Sequence, residues 1–102
     1  MNKVMTKNID IIKSAIEKYG ETSQIIKTIE ELSELQKELC KFINTTEYNR
    51  TQIVDEMSDV MIMIKQTRLI FNISKEELEK QIQYKLDRLK DRLNYLTGLT
   101  NS

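Results

Sequence analysis

Two pairs of acidic residues lie within apolar stretches of this 102-residue chain. Glu31 and Glu34 lie in the sequence IEELSEL, and Glu56 and Asp59 lie in VDEMSDVMIMI. Carboxylates are seldom surrounded by apolar residues unless they are paired or bind a metal ion. Their oxygens are the ligands that Mg²⁺ and Mn²⁺ prefer. The two pairs therefore predict a site for a hard divalent cation; the alternative is that they face solvent beside an apolar stripe.

The spacing of the apolar residues predicts the helices that must position these acids. Apolar residues recur every three or four positions, and the chain has no proline and two glycines, so the predicted fold class is all-α. The first helix should end at Gly20, and the second should run from about residue 23 to 43 with Thr22 as its N-cap. The polar residues 44–49 should form a loop.

Two capping boxes predict where the remaining helices start. Asn49 with Gln52 should cap the third helix, which should end at Asn72. Ser74 with Glu77 should cap the fourth. Connections this short make neighbouring helices antiparallel, which predicts a four-helix bundle.

The length of the chain predicts one domain over residues 1–97, followed by a frayed C-terminal tail over residues 98–102. A domain of this size buries only a modest fraction of its surface. We therefore expect oligomerisation to complete the bundle.

Composition narrows the classes of function. Sixteen Lys and Arg residues balance sixteen Asp and Glu residues, which argues against a nucleic-acid partner. The chain has no histidine and one cysteine, Cys40, so a zinc or haem site is not expected. A lone cysteine favours a reducing compartment, and no apolar run is long enough to span a membrane. We predict a cytoplasmic protein with no membrane partner.

The two acidic motifs also resemble a known signature. The sequence EELSEL, followed after a polar loop by DEMSDV, resembles the signature of the MazG-like, all-α nucleoside triphosphate pyrophosphohydrolases. In that signature two acids three residues apart are followed, after a spacer that is here residues 35–55, by Glu and Asp three residues apart. The resemblance covers helices two to four. It implies that Mg²⁺, with Mn²⁺ as a substitute, is bound by Glu31, Glu34, Glu56 and Asp59.

The resemblance implies an activity and an assembly. The activity is hydrolysis of a nucleoside triphosphate, with ribose or deoxyribose, to the monophosphate and pyrophosphate. Glu31 or Glu34 would be the catalytic base that accepts a proton from the attacking water. Similar proteins complete their bundle with a second subunit, so we expect a homodimer or, as a dimer of dimers, a homotetramer.

Lys27 lies one helical turn before Glu31 on the same face. The family often has a lysine just upstream of its first acidic pair, so Lys27 is a candidate for binding substrate phosphate. The alternative is a solvated lysine that pairs with Glu31 or Glu30.

A basic stripe on the fourth helix is a second candidate for phosphate binding. Lys85, Arg88 and Arg92 are spaced three and four residues apart and lie beside the leucines of that helix. Such a stripe suits a triphosphate. Similar proteins carry a lysine and a downstream arginine on their last helix, while Leu89 stands where some have asparagine. The alternative is a solvated face paired with nearby aspartates.

Two other functions stay open at this point. Related pyrophosphohydrolases act on phosphoribosyl-ATP or dUTP, and no residue of this chain separates these substrates. A helical interaction protein without catalysis would account for the near-heptad leucines of the fourth helix. It would show no stabilisation by Mg²⁺, whereas an ion that binds only the folded state raises the melting temperature.

Overall fold

A computed structural model of the protein describes residues 3–45 and 48–101, with side chains described for residues 8–45 and 48–94. It contains four helices, and no strand occurs in the described ranges. The helices are α1 (Lys3–Tyr19), α2 (Glu21–Thr45), α3 (Arg50–Ile70) and α4 (Lys75–Asn101). The predicted all-α fold with four helices is therefore confirmed.

The chain divides into two compact units, Met1–Asn72 and Ile73–Ser102. The first unit contains α1 to α3, and the second contains α4. A single domain over residues 1–97 stays a prediction, as does a bundle completed by oligomerisation. None of the four helices, over the residues described, is both long and apolar enough to cross a membrane.

Gly20 separates α1 from α2, as predicted. Its φ of 89° lies in the left-handed region, which glycine adopts without steric cost. Its N–H donates to the carbonyl of Ile16 at 2.8 Å, and its own carbonyl accepts the N–H of Gln24 at 3.1 Å. Because that carbonyl takes the first bond of α2, the helix begins at Glu21. The predicted N-cap at Thr22 is wrong, since Thr22 lies inside the first turn.

The far end of α2 also differs from the prediction. The helix continues to Thr45, two residues beyond the predicted end at 43. The hydroxyl of Thr45 donates to the carbonyl of Lys41 at 2.7 Å, a bond back into the preceding turn that is compatible with a helix. Residues 44 and 45 are therefore helical, whereas the predicted loop residues 46 and 47 lie outside the described ranges.

Asn49 precedes α3, but its side chain makes no capping hydrogen bond. The predicted capping box with Gln52 is therefore wrong. The Asn49 amide instead donates to the backbone carbonyl of Glu38 at 2.9 Å and to Glu38 Oε1 at 3.3 Å. Both residues are buried. Asn49 thus ties the start of α3 to the C-terminal part of α2.

The junction between α3 and α4 follows the predicted pattern. Asn72, with a φ of 54°, lies beyond the last turn of α3. The Ser74 hydroxyl accepts the N–H of Glu77 at 3.0 Å and so caps α4. The backbone of α4 continues through Gly98 to Asn101, so the predicted tail is helical as far as residue 101. The side chains of residues 95–100 lie outside the described set.

Helices α2 and α3 pack antiparallel within the first unit, and α1 contacts both. Near the start of α2, Gln24 Nε2 donates to Gln66 Oε1 at 2.9 Å near the end of α3. Gln66 Nε2 returns a bond to the Gln24 carbonyl at 3.1 Å. The Asn49–Glu38 contacts lie at the opposite ends of the same helices. The predicted antiparallel arrangement of helices two and three is confirmed.

The interior of the first unit is unusually polar. Its buried apolar side chains, among those described, are Ile12 and Val60. Its buried polar side chains are Gln24, Glu38, Asn49 and Gln66. Many of the apolar residues that recur at helical spacing, including Leu32 and Leu39 of α2, are exposed instead. Polar contacts therefore determine much of how α2 lies against α3.

We expect Gln66→Ala to lower the free energy of unfolding by about 1–3 kcal/mol, the usual cost of a buried polar group left without its partner. Gln66 is 1% exposed, and its loss removes the acceptor of the buried Gln24 amide. The double variant Gln24→Leu/Gln66→Leu should cost less, because it removes both polar groups together. Urea unfolding followed by circular dichroism measures both. Gln36→Ala, at an exposed position of α2, is the control. An equal cost for Gln66→Ala and the control would contradict the expectation.

Candidate functional site

Three of the four predicted acids converge between α2 and α3. Glu31 of α2 and Glu56 and Asp59 of α3 each place one carboxylate oxygen within 4.8 Å of the other two. All three side chains are half-buried. Glu56 and Asp59 are three residues apart and share a face of α3. The antiparallel packing places Glu31 opposite them.

The spacing along α2 explains this placement. Gln24, Glu31 and Glu38 are seven residues, or two helical turns, apart, so they lie on one face. Gln24 bonds to α3 on one side of Glu31, and Glu38 bonds to Asn49 on the other. These two contacts, Gln24–Gln66 and Glu38–Asn49, fix α2 against α3 on either side of Glu31. Glu31 therefore lies level with the acids of α3.

The donor set suits a small hard cation. It offers three carboxylate oxygens and no nitrogen or sulfur ligand, as Mg²⁺ and Mn²⁺ prefer. Mg²⁺ binds oxygen at about 2.0–2.1 Å, so ligands on opposite sides of the ion lie roughly 4 Å apart. Three oxygens within 4.8 Å can reach that separation with small side-chain movements.

Glu34 is the predicted acid that the structure leaves outside this group. Its side chain is exposed, one turn along α2 from Glu31. Its charge still reaches the site, because it is among the charges that raise the pKa of Glu56. Its role as a metal ligand stays a prediction.

The protein environment favours the neutral form of two of these acids. Burial raises the pKa of Glu56 above its ordinary value, and the charges of Asp55 and Asp59 raise it further. Burial also raises the pKa of Asp59, as does its hydrogen bond with Glu31; the charge of Lys27 acts in the opposite direction. The carboxylates repel one another unless a proton or a cation lies among them.

Lys27 pairs with the acidic group, as one alternative predicted. Its Nζ lies 3.1 Å from Glu31 Oε1, and its side chain is 52% exposed while that of Glu31 is 13% exposed. The hydrogen bond with Glu31 and the charge of Glu31 raise the pKa of Lys27. An ammonium has three N–H donors, so the exposed face of Lys27 can also reach an anion in solvent. Its contact with phosphate stays a prediction.

An open groove of about 720 Å³ adjoins the acidic group. Its lining residues come from the end of α1, the first turns of α2 and the facing part of α3. They are Tyr19, Thr22, Ser23, Gln24, Ile26, Lys27, Glu30 and Met63. Among them, only Lys27 is predicted from the sequence to bind substrate. The missed signal is the spacing of Ser23, Lys27 and Glu31, which continues the acidic face of α2 toward the N-terminus.

The three predicted cations of α4 form a group within the second unit. Lys85, Arg88 and Arg92 together line a small cavity of about 180 Å³. The guanidinium carbon of Arg88 lies 5.8 Å from the centre of the Tyr84 ring. Their spacing therefore gathers them as the sequence predicts, and their role in binding phosphate stays a prediction.

We expect Mg²⁺ to raise the melting temperature of the protein, because an ion that binds only the folded state stabilises it. Glu56→Gln and Asp59→Asn should each remove most of that increase. In EDTA at neutral pH the same variants should melt at a higher temperature than the wild type, since each removes a repelling carboxylate. Glu17→Gln, an exposed residue of α1, is the control and should change neither result. An undiminished Mg²⁺ response in Glu56→Gln would contradict the predicted metal site.

The sign of the pH dependence follows from the raised pKa values of Glu56 and Asp59. Between the ordinary and the raised carboxyl pKa, the folded protein binds more protons than the unfolded chain. Stability without metal should therefore fall as pH rises through that interval, and the penalty should be fully present above it. Glu56→Gln should show a shallower fall than the wild type when melting is followed across the acidic pH range.

Comparisons with known proteins find no match. No protein-family model, no curated protein and no solved structure matches this chain.

Proposed function

We propose that the protein is a Mg²⁺-dependent pyrophosphohydrolase that converts a ribo- or deoxyribonucleoside triphosphate to the monophosphate and pyrophosphate. The observation that carries the proposal is the approach of Glu31, Glu56 and Asp59 to within 4.8 Å. These three acids come from the two segments that resemble the MazG-like signature. Composition or helical spacing alone would not require such a convergence.

In the proposed reaction, a water oxygen attacks the α-phosphorus of the substrate. The bond from that phosphorus to the bridging oxygen breaks, and pyrophosphate leaves. Glu31, Glu56 and Asp59 would hold the metal ion, because their carboxylate oxygens are the ligands that Mg²⁺ prefers. Bound Mg²⁺ supplies Lewis acidity toward phosphate oxygens and makes a nearby water more acidic.

Glu34 is the proposed catalytic base. It lies outside the group of three oxygens and is exposed, so its carboxylate is free to accept the proton that the attacking water loses. Glu31, the other candidate, already contacts Lys27 at 3.1 Å and belongs to the group of three. The division assigns metal binding and proton transfer to different side chains.

The proposed function needs cations, because negative charge develops on the departing pyrophosphate. Lys27 would exchange part of its contact with Glu31 for a phosphate oxygen. Lys85, Arg88 and Arg92 are the other proposed phosphate ligands. A cytoplasmic location is part of the proposal and agrees with the single cysteine, Cys40.

A homo-oligomer is also part of the proposal. The described apolar side chains of the first unit are mostly exposed, with Ile12 and Val60 as its buried ones. On α4, Ile82, Leu86, Leu89 and Leu93 are exposed as well. Large exposed apolar surfaces mark sites of association. A second copy of the chain would cover these surfaces and complete the bundle.

We expect release of pyrophosphate from at least one member of a panel of ribo- and deoxyribonucleoside triphosphates with Mg²⁺, and none in EDTA. Glu34→Gln should lower kcat by about 100-fold or more, the scale of general base catalysis. It should keep most of the Mg²⁺-dependent rise in melting temperature, because the three-oxygen group stays intact. Asp59→Asn should lose both the turnover and the Mg²⁺ response.

Glu79→Gln, an exposed acid of α4, is the matched control and should keep full turnover. Release of pyrophosphate at the same rate with and without EDTA would refute the metal requirement. No release from any substrate by folded protein would refute the proposed reaction on these nucleotides. It would favour a phosphoribosyl-type substrate or the interaction protein.

We expect light scattering to give twice or four times the chain mass of 12.1 kDa. Leu86→Glu should shift the protein toward the monomer, because it places a charge on the exposed leucine face of α4. Gln81→Glu, which adds the same charge at an exposed polar position of α4, is the control and should leave the mass unchanged. A mass of a single chain for the wild type at high concentration would contradict the proposed assembly.

A further inference from the structure

We infer that the groove beside the acidic group binds the nucleoside of the substrate, with the ring of Tyr19 stacked on the base. The inference rests on the proposed function, which places the triphosphate at Glu31, Glu56 and Asp59. It adds a binding site and a residue that holds the base, and the site would accept nucleotides of any base, because every base can stack on an aromatic ring.

The groove and the acidic group lie on one continuous face of α2. Ser23, Lys27 and Glu31 are four residues apart and therefore follow one another along that face. Lys27 is part of both the groove and the acidic group, because it lines the groove and its Nζ lies 3.1 Å from Glu31 Oε1. A ligand held at the acids meets Lys27 first and then the groove.

On α3, too, the acids and the groove lie along one face of the helix. Glu56, Asp59 and Met63 are spaced three and four residues apart on α3, and Met63 lines the groove. Because α2 and α3 are antiparallel, these faces lead from the acids toward the same end of the helix pair. The groove is therefore the direct extension of the space between the two helices.

The dimensions fit a nucleoside that extends from a bound phosphate. The groove measures about 720 Å³, and small-molecule sites usually measure about 300–1,000 Å³. Ser23 and Glu31 are eight residues apart on α2, which is roughly 12 Å along a helix that rises about 1.5 Å per residue. A base and a sugar attached to a phosphate at the acids are of this length.

The chemistry of the lining residues suits a base and a sugar. Tyr19 offers an aromatic ring that is 58% exposed, and the Lys18 ammonium lies over one face of this ring, 5.4 Å from its centre. Met63 offers a polarizable thioether. The hydroxyl of Ser23 and the carboxylate of Glu30 can accept hydrogen bonds from sugar hydroxyls.

Two residues that line the groove, Gln24 and Met63, contact the buried Gln66. Gln24 lines the groove and bonds Gln66 at 2.9 Å. Gln66 Nε2 also lies 3.4 Å from the sulfur of Met63, within hydrogen-bonding distance. These bonds hold Gln24 and Met63 in place before any ligand enters, which lowers the cost of ordering this part of the site on binding.

The test compares the wild type with Tyr19→Ala, Tyr19→Phe and, as a matched control, Tyr48→Ala. Tyr48 is exposed and lies outside the groove. The first measurement is the KM and kcat for ATP and CTP, together with inhibition by inorganic tripolyphosphate, which has the phosphates but no nucleoside. Tyr19→Ala should raise KM about tenfold for both nucleotides, the scale of losing one stacked ring. Its kcat and the tripolyphosphate inhibition should change little.

Tyr19→Phe keeps the ring and should retain the wild-type KM, as should Tyr48→Ala. An unchanged KM in Tyr19→Ala would overturn the inference while leaving the hydrolysis intact. An equal loss of tripolyphosphate inhibition would also overturn it, because the effect would then lie in the phosphate site.

A second measurement separates this inference from the proposed function. The methyl resonance of Met63 is followed by NMR while AMP is added in EDTA, so that neither metal nor turnover is needed. A shift that Tyr19→Ala abolishes and Tyr48→Ala keeps would support the groove even if no nucleotide is hydrolysed. No shift at millimolar AMP would overturn it even if hydrolysis is observed.

Discussion

The need to satisfy buried polar groups determines how α2 lies against α3, and the candidate site depends on that register. A buried amide or carboxylate without a partner costs about 1–3 kcal/mol or more, so neighbouring registers that separate these groups are disfavoured. Gln24 meets Gln66 at one end of the pair, and Glu38 meets Asn49 at the other. The register that keeps both of these pairs in contact places Glu31 level with Glu56 and Asp59.

The same architecture that assembles the acids also opposes their ionisation. Burial and mutual repulsion raise the pKa values of Glu56 and Asp59, so the fold holds these carboxylates in an unfavourable state. Lys27 relieves part of that repulsion through Glu31. A divalent cation would relieve more, because its charge interacts with all three groups at once. Perturbed pKa values of this kind cluster at functional sites, and the Gln24–Gln66 and Glu38–Asn49 contacts hold the two helices together on either side of the acids.

Local signals in the sequence predicted much of the fold. Gly20 and Asn72 lie at helix ends and Ser74 caps α4, as predicted, because these roles depend on each residue's own backbone and nearest neighbours. The predicted caps at Thr22 and Asn49 are wrong because other groups make the hydrogen bonds. The Gly20 carbonyl accepts the first bond of α2, and the Asn49 side chain donates to buried Glu38. Spacing and resemblance predicted that Glu31, Glu56 and Asp59 converge, but they also placed Glu34 in the group, and the structure leaves it outside. The groove was not predicted, because amphipathic patterns assign Gln24 and Gln66 to solvent and give no sign that they pair.

In this chain, the side chains that specify the register of α2 against α3 differ from those that would supply most of the driving force for folding. The α2–α3 interface is polar and specifies one register, but polar pairs contribute little net stability. The apolar side chains that would supply most of the driving force are largely exposed on the described helices. A surface that covers them would stabilise the unit without altering the register that the glutamines and Glu38–Asn49 impose. The geometry of the acids would then be set within one chain, while its persistence would depend on association.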